Sequence, residues 1–442
     1  MGGVKSSGTA PRYAYEPGLE RVQQLLDQML DPAYRPPYVH VVGSNGKGTT
    51  AFWTACLASL RGESVGLFHS PYLDEAAESI QVWNGGQPQS LAPEELSPLL
   101  TRAQEICPQA TEFECLLAAA LCYWSQQGCS FFVLEAGLGG RLDATNALSW
   151  PPAVLLFTAL GLEHQNYLGS EFRDILWHKT GVLKPGIRRT YYLCSEYNSP
   201  EQLAELSRAI EAEAHVLGLE SWACRGGDLN SEVWATAAAW GPWVAEDFIL
   251  ALRAVYGDCL PSREEQAQLF ARCWAQRPVL RQTWVDQPFP ACFDGAHNPQ
   301  ALSALSEMWQ LRYEQDLKAA AAGALPAPRL CLVFGLLADK DAQAAVDLLA
   351  RLPGLEACIC TAAQGPDLSR PPQLPQALAA IWKRRLPSLA IMECKDPAEA
   401  WQDVCQLARE GNWQFIICGS FYLARELAAR HARLRSRANN EE

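Results

Sequence analysis

The sequence predicts an α/β protein of two domains, each built on a mostly parallel sheet. Three observations predict it. The chain has 442 residues, more than one hydrophobic core usually serves. Short β-branched or aromatic runs alternate with polar or glycine-rich turns and amphipathic stretches, the pattern of parallel strands covered by helices on both faces. That alternation comes in two series, separated by a stretch of helix formers from about Pro200 to Trp274.

In the first series, Tyr38–Val42 leads into the turn Gly43-Ser-Asn-Gly-Lys-Gly-Thr-Thr50 and a predicted helix near Thr50–Leu60. Val65–Phe68 ends at His69-Ser70-Pro71, Phe131–Leu134 ends at Glu135, and Ala153–Phe157 runs toward Glu163-His164. In the second series, Ala291–Phe293 stops at Asp294-Gly-Ala-His-Asn298, Leu330–Phe334 at Gly335, and Trp413–Cys418 at Gly419-Ser420. A join near Arg277–Pro290 divides the chain into domains 1–283 and 284–442. The Ala-, Gly- and Pro-rich segment Lys318–Pro328 predicts a loop inside the second domain.

Composition narrows the function classes. With 49% hydrophobic and 19% charged residues, wholesale disorder, a collagen-like fibre and a coiled coil are excluded. No run of about 18 uninterrupted apolar residues marks a membrane span. Met1–Ala10 lacks the apolar core of a signal peptide. It fits a loose myristoylation pattern through Gly2 and Ser6, with a flexible tail the simpler reading. A formal charge of −13 disfavours nonspecific nucleic-acid binding while leaving room for a local basic cleft. The 16 cysteines are scattered through apolar stretches, and Cys358 and Cys360 have no partner pair at zinc-site spacing. They read as reduced core thiols of a cytoplasmic protein.

The turn at Gly43–Thr50 carries the first chemistry. Its glycines let backbone N–H groups close around phosphate oxygens, the helix N-terminus adds positive potential, and Lys47 supplies a point charge. The spacing departs from the strict Walker pattern: two residues separate Gly43 from Gly46, and Gly48 stands between Lys47 and Thr49. The bland reading is a glycine-rich turn that binds nothing; strand, turn, lysine and helix together favour phosphate. That turn makes the first domain P-loop-type, and the smaller second domain, with its own series of strands, is expected to be Rossmann-like.

Four polar residues, Ser70, Glu135, His164 and Asp294, fall just past predicted strand ends, where open α/β sheets form their ligand crevice. A hydroxyl, a carboxylate and an imidazole suit a divalent metal beside phosphates, although magnesium normally prefers oxygen and His164 alone would read as structural. A second glycine-rich loop, Glu135–Asn146, carries Arg141 and Asp143 and suggests a second ligand beside a nucleotide.

At these residues the chain resembles the folylpolyglutamate synthase and dihydrofolate synthase family of Mur-type ATP-dependent ligases. The resemblance spans about Leu19 to Arg430 and rests on GSNGKGTT at 43–50, HSPYL at 69–73 and LEAGLGGRLDATN at 134–146. LEHQNYLG at 162–169, HKTGVLKPG at 178–186, FDGAHNP at 293–299 and CGSFYLARE at 418–426 complete it.

The resemblance implies ATP phosphates on Ser44, Asn45, Gly46, Lys47, Gly48, Thr49 and Thr50, with Asp247, Arg277 and Asp294 around the rest of the nucleotide. It implies two magnesium ions held through Thr49, Ser70, Glu135 and His164, with Lys179 at the position of a carbamylated lysine. His297 matches a histidine near the phosphates and the incoming glutamate. Thr111, Phe113 and Asp143 match places on the pterin side. Departures occur at Trp243, Val244 and Asp247, where relatives carry His, Gln and Asn. At Ala275-Gln276-Arg277 the arginine stays but its Pro-Gly turn does not, and Tyr72 and Ser79 replace a histidine and an arginine.

The implied activity is ATP-dependent addition of L-glutamate to dihydropteroate, to folates or to both, through an acyl phosphate. The implied protein is a cytoplasmic monomer that acts on small molecules, with no nucleic-acid or membrane partner, its two domains closing about the 277–290 join. A Mur-type ligase for another carboxylate and a noncatalytic nucleotide-binding relative stay open at this point.

Overall fold

The computed structural model describes residues 18–72, 75–238, 241–276, 281–286, 288–321, 327–364 and 371–438. The chain forms two compact units. The first holds the chain up to Gly161, Tyr167–Val233 and Glu246–Gln276; the second holds Leu162–Asn166, Trp234–Ala245 and everything beyond Gln276.

The first unit contains β1 (Tyr38–Val42), β2 (Val65–Phe68), β3 (Ile80–Asn84), β4 (Gln87–Ser90), β5 (Phe131–Glu135), β6 (Val154–Phe157), β7 (Arg189–Leu193) and β8 (Ser221–Cys224). They lie in the order β4-β3-β2-β5-β1-β6-β7-β8. From β2 to β8 along that order the pairs are parallel, while β3 and β4 extend the sheet antiparallel beyond β2. Every residue of β1, β2 and β6 is buried, as central parallel strands require. The chain leaves β1 for β2, beyond β5, and later passes from β5 across β1 to β6. Crossovers therefore diverge at β1, and the loops after β1, β5 and β6 open on one carboxyl edge, where such sheets place ligands.

Helix Lys47–Leu60 follows β1 and is buried at every position from Gly48 to Ser59. It is apolar all round because protein covers all its faces. Trp53 at its middle meets Phe248 edge-on at 5.8 Å and Phe270 at 6.3 Å, and its indole N–H donates to the Cys273 carbonyl at 3.1 Å. These contacts hold helices Pro242–Tyr256 and Arg263–Ala275 against the helix that starts with Lys47. Helices Glu20–Met29, Pro93–Ile106 and Glu112–Gln127 share another core, with Leu25, Leu117, Trp124 and Phe132 fully buried. Each such side chain stabilises by about 1.5–3 kcal/mol through its removal from water.

The second unit contains β9 (Arg281–Val285), β10 (Ala291–Asp294), β11 (Arg329–Phe334), β12 (Leu355–Thr361), β13 (Ala390–Cys394) and β14 (Trp413–Cys418). Their order is β13-β12-β11-β14-β10-β9, parallel except for the β9–β10 pair. β9 spans positions 283 and 284 and pairs with β10, so the whole strand goes with the second sheet. The chain passes from β10 to β11 and later returns from β13 to β14, which lies between them. Asp294, Gly335 and Gly419 thus gather at one carboxyl edge.

The loop expected over Lys318–Pro328 is shorter than its composition suggests. Helix Pro299–Ala321 continues through Lys318-Ala-Ala-Ala321, because lysine and alanine are strong helix formers, and β11 begins at Arg329. Residues 322–326 lie outside the described residues. The cysteines are unpaired, and all except Cys259 and Cys405 are buried. Among the described residues no helix is long and apolar enough to cross a membrane.

Candidate active site

The phosphate-loop candidate is shaped by backbone. Gly46, the N-cap of helix Lys47–Leu60, has φ +81°, a left-handed conformation suited to glycine, and no side chain caps the helix. First-turn N–H groups without a capping side chain form an anion site. A Cβ at Gly43 would overlap the Thr158 side chain, so β1 and the end of β6 meet here at backbone distance. The Ser44 and Asn45 N–H groups both donate to the Ala159 carbonyl at 3.0 Å, and Ser44 Oγ donates to Gly161 O at 2.8 Å. Thr49 and Thr50 are buried in the first turn beside Gly48.

Two lysines converge on this loop. Lys47 Nζ donates to the Gly43 and Ser44 carbonyls at 2.8 and 3.0 Å. Lys179, 1% exposed, donates to the same Gly43 oxygen at 2.6 Å. Asp247 reaches the loop from helix Pro242–Tyr256: a Cβ at Gly46 would run into its buried carboxylate. Arg277 lies outside the described residues.

Ser70, past β2, and Glu135, at the end of β5, are brought together: the Ser70 N–H donates to Glu135 Oε2 at 3.1 Å, and Glu135 is buried. His164, past β6, is held at φ +47°, in a segment that belongs to the second unit. No group of three or more His, Cys, Asp or Glu side chains at metal-binding distance occurs among the described residues. Of the implied ligands only Glu135 and His164 are of those types; Thr49 and Ser70 contribute hydroxyls. Thr49, Ser70 and Glu135 all lie in the first unit and offer oxygen donors, which fits a hard divalent cation.

The second glycine loop packs on both sides. Phe113 lies against Gly137, where a Cβ would collide with its ring, and meets Phe68 at 5.2 Å. Thr111 is the N-cap of helix Glu112–Gln127, its hydroxyl accepting from Glu114 N. Asp143 is buried; Oδ2 accepts from Leu138 N at 2.8 Å, and Oδ1 accepts from Thr145 N at 3.0 Å and Thr145 Oγ1 at 2.5 Å. Burial pushes the Asp143 carboxyl above its ordinary range, against the lowering effect of those hydrogen bonds.

His40, inside β1, lies 2.8 Å from Thr145 Oγ1 through Nε2. Thr145 already donates to Asp143, so His40 Nε2 is the N–H donor, and its pKa falls to about 3 chiefly through burial, then through nearby Lys184. Sequence reasoning missed this chain of hydrogen bonds. Its one signal was a polar residue in the apolar run Tyr38-Val-His-Val-Val42.

In the second unit, Asp294 ends β10 and accepts from Ala296 N at 2.7 Å. His297 Nδ1 lies 2.8 Å from the Gly295 carbonyl, an oxygen that can only accept, so Nδ1 carries the proton and Nε2 keeps its lone pair. Burial, then Lys340, lowers its pKa to about 4 and holds the ring neutral. The Lys340–Asp339 pair, 3.3 Å apart, was likewise not anticipated. Gly419 packs onto the Gly335 carbonyl at φ +97°, a fit open only to glycine, and hands the chain to Ser420 at the start of helix Phe421–Ala438.

No family model matches the chain. A dihydrofolate synthase/folylpolyglutamate synthase of Bacillus subtilis is 26% identical over 360 residues, covering 75% of this chain and 78% of the relative. The folylpolyglutamate synthase of Lacticaseibacillus casei is 25% identical over 445 residues, covering 94% of each. Over most of its length the chain is similar to members of the folylpolyglutamate synthase/dihydrofolate synthase family. A solved structure of a bifunctional folylpolyglutamate synthase/dihydrofolate synthase from Yersinia pestis, complexed with AMPPNP and Mn ion, has a TM-score of 0.69. It is 24% identical and covers 94% of both chains, which places this chain in the same two-domain α/β fold.

Proposed function

We propose that this chain is an ATP-dependent ligase that adds L-glutamate to dihydropteroate, to folates or to both, releasing ADP and phosphate. The observation that carries the reading is the Lys47 ammonium held on the Gly43 and Ser44 carbonyls of an uncapped helix N-terminus. That arrangement suits a polyphosphate, whose oxygens would replace the carbonyls as acceptors of the Lys47 N–H groups.

A carboxylate resists condensation with an amine because its charge repels nucleophiles and oxide leaves poorly. Transfer of the γ-phosphoryl group to the acceptor's carboxylate gives an acyl phosphate, with phosphate as leaving group; the glutamate amine then displaces it. Lys47 would neutralise charge developing on the transferred group. Thr49, Ser70, Glu135 and His164 are the residues proposed to hold magnesium, which when bound supplies charge neutralisation on the phosphate oxygens. Two ions are proposed, and Lys179, a free amine on the Gly43 carbonyl here, would add an oxygen donor once carbon dioxide converts it to a carbamate. His297 is proposed to lie near the phosphates and the incoming glutamate. Asp247, Arg277 and Asp294 are proposed for the nucleotide, and Thr111, Phe113 and Asp143 for the pterin side. The proposed setting is a monomer in the cytoplasm.

Phosphate release from ATP should require glutamate together with dihydropteroate or a tetrahydrofolate, and the product should gain one glutamyl unit by mass. Gain on one acceptor alone would separate the two activities. Phosphate release indifferent to both acceptors would overturn the reading.

A further inference from the structure

We propose that Arg141 is a positioning residue, which fixes the end of helix Phe172–Thr180 so that Lys179 stays seated on the phosphate-loop carbonyl. The clamp begins at Gly139-Gly-Arg141. A Cβ at Gly140 would meet the His178 and Lys179 carbonyls at 3.1 and 3.3 Å, so this loop lies flat on the last turn of the helix. The Arg141 N–H donates to the His178 carbonyl at 2.7 Å. Its Nε and Nη2 both donate to the Trp177 carbonyl, at 3.2 and 3.1 Å, and its guanidinium stacks 4.1 Å above the Trp177 ring. Carbonyls of a last turn have no partner within the helix, and a cation there also opposes the helix dipole.

The clamp extends on both sides. Gly181 has no Cβ because the stem of Arg141 passes where one would stand. Asn146 Nδ2 donates to the Arg141 carbonyl at 3.0 Å and to the Gly181 carbonyl at 3.4 Å, closing the loop around the helix end. The adjacent residue of that turn is Lys179, with its ammonium 2.6 Å from Gly43 O. Arg141 is thus linked through two backbone carbonyls to the lysine of the phosphate loop and needs no contact with substrate.

Two variants test this. Arg141→Ala removes the side chain. Gly181→Ala keeps every polar group and presses a methyl against Arg141; Gly181 has φ −63°, which alanine adopts freely. In the folded full-length chain, kept free of bicarbonate and divalent metal so that Lys179 is the free amine, acetic anhydride labelling of Lys179, read by mass spectrometry relative to exposed Lys383, should rise at least tenfold in both variants. This readout is independent of the ligase reading. With ATP, glutamate and the acceptor that turns over, kcat should fall at least tenfold while the acceptor KM stays within twofold, and Arg141→Lys should restore part of the rate. Unchanged protection of Lys179 in both folded variants would overturn the proposal. So would a rise in acceptor KM at constant kcat, which would make Arg141 a substrate contact. If Arg141→Ala does not fold, Gly181→Ala decides alone.

Discussion

At the scale of single residues, His40 shows how burial converts a titratable group into a structural one. Its imidazole is fully buried in β1 and donates to Thr145, and burial lowers its pKa to about 3. In the unfolded chain the same ring titrates near about 6.5, so between those values the unfolded state binds more protons and folding weakens as pH falls. The stabilisation is complete above about pH 6.5, and its loss has a slope of up to about 1.4 kcal/mol per pH unit. His40→Gln keeps an N–H near the Nε2 position and does not titrate. Urea unfolding at several pH values from 4.5 to 7 should therefore show a shallower pH slope in the variant than in the parent. Equal slopes would mean that His40 is not held neutral.

At the scale of elements, the glycines and aromatics set the distance between layers. Gly66 in β2 has no Cβ because the Trp124 ring, from helix Glu112–Gln127, occupies that space. Trp124 is fully buried, lies 4.9 Å from Phe132, and donates its N–H to the Gln81 carbonyl of β3 at 3.1 Å. Trp124→Ala should cost about 3–5 kcal/mol, measured as a lower denaturant midpoint, because it opens a cavity and orphans that carbonyl. A loss under about 1 kcal/mol would show that the layer collapses to fill the space. Seven strand runs were legible within a residue or so, β1, β2, β5, β6, β10, β11 and β14, since buried parallel strands are short, apolar and bounded by turns. Edge strands such as β4, Gln87-Pro-Gln-Ser90, carry no such pattern because water covers them and pairing alone defines them.

At the scale of the whole molecule, ligand and stability are linked. A nucleotide that binds only the folded chain adds about 2.7 kcal/mol to its unfolding free energy at one hundred times Kd. AMPPNP with magnesium should therefore raise the melting temperature by several degrees, and Lys47→Ala should abolish the shift while leaving the nucleotide-free melting temperature within roughly a degree or two. An undiminished shift in that variant would remove Lys47 from phosphate binding. The same variant should lower kcat at least about 100-fold, the scale expected when a group that stabilises developing charge is lost.

The order of apolar runs and turns by itself determined the α/β class, the two series of strands and the glycine-rich turn proposed to bind phosphate, because those signals are local and periodic. Tertiary structure alone decided that Lys179, 136 positions away in sequence from Gly43, shares an acceptor with Lys47. It also decided that Asp247 abuts Gly46 and that Gly139-Gly-Arg141 grips a helix end. Such contacts depend on where crossovers place distant segments, and no spacing along the chain encodes the distance between two side chains that meet only after the sheet has formed.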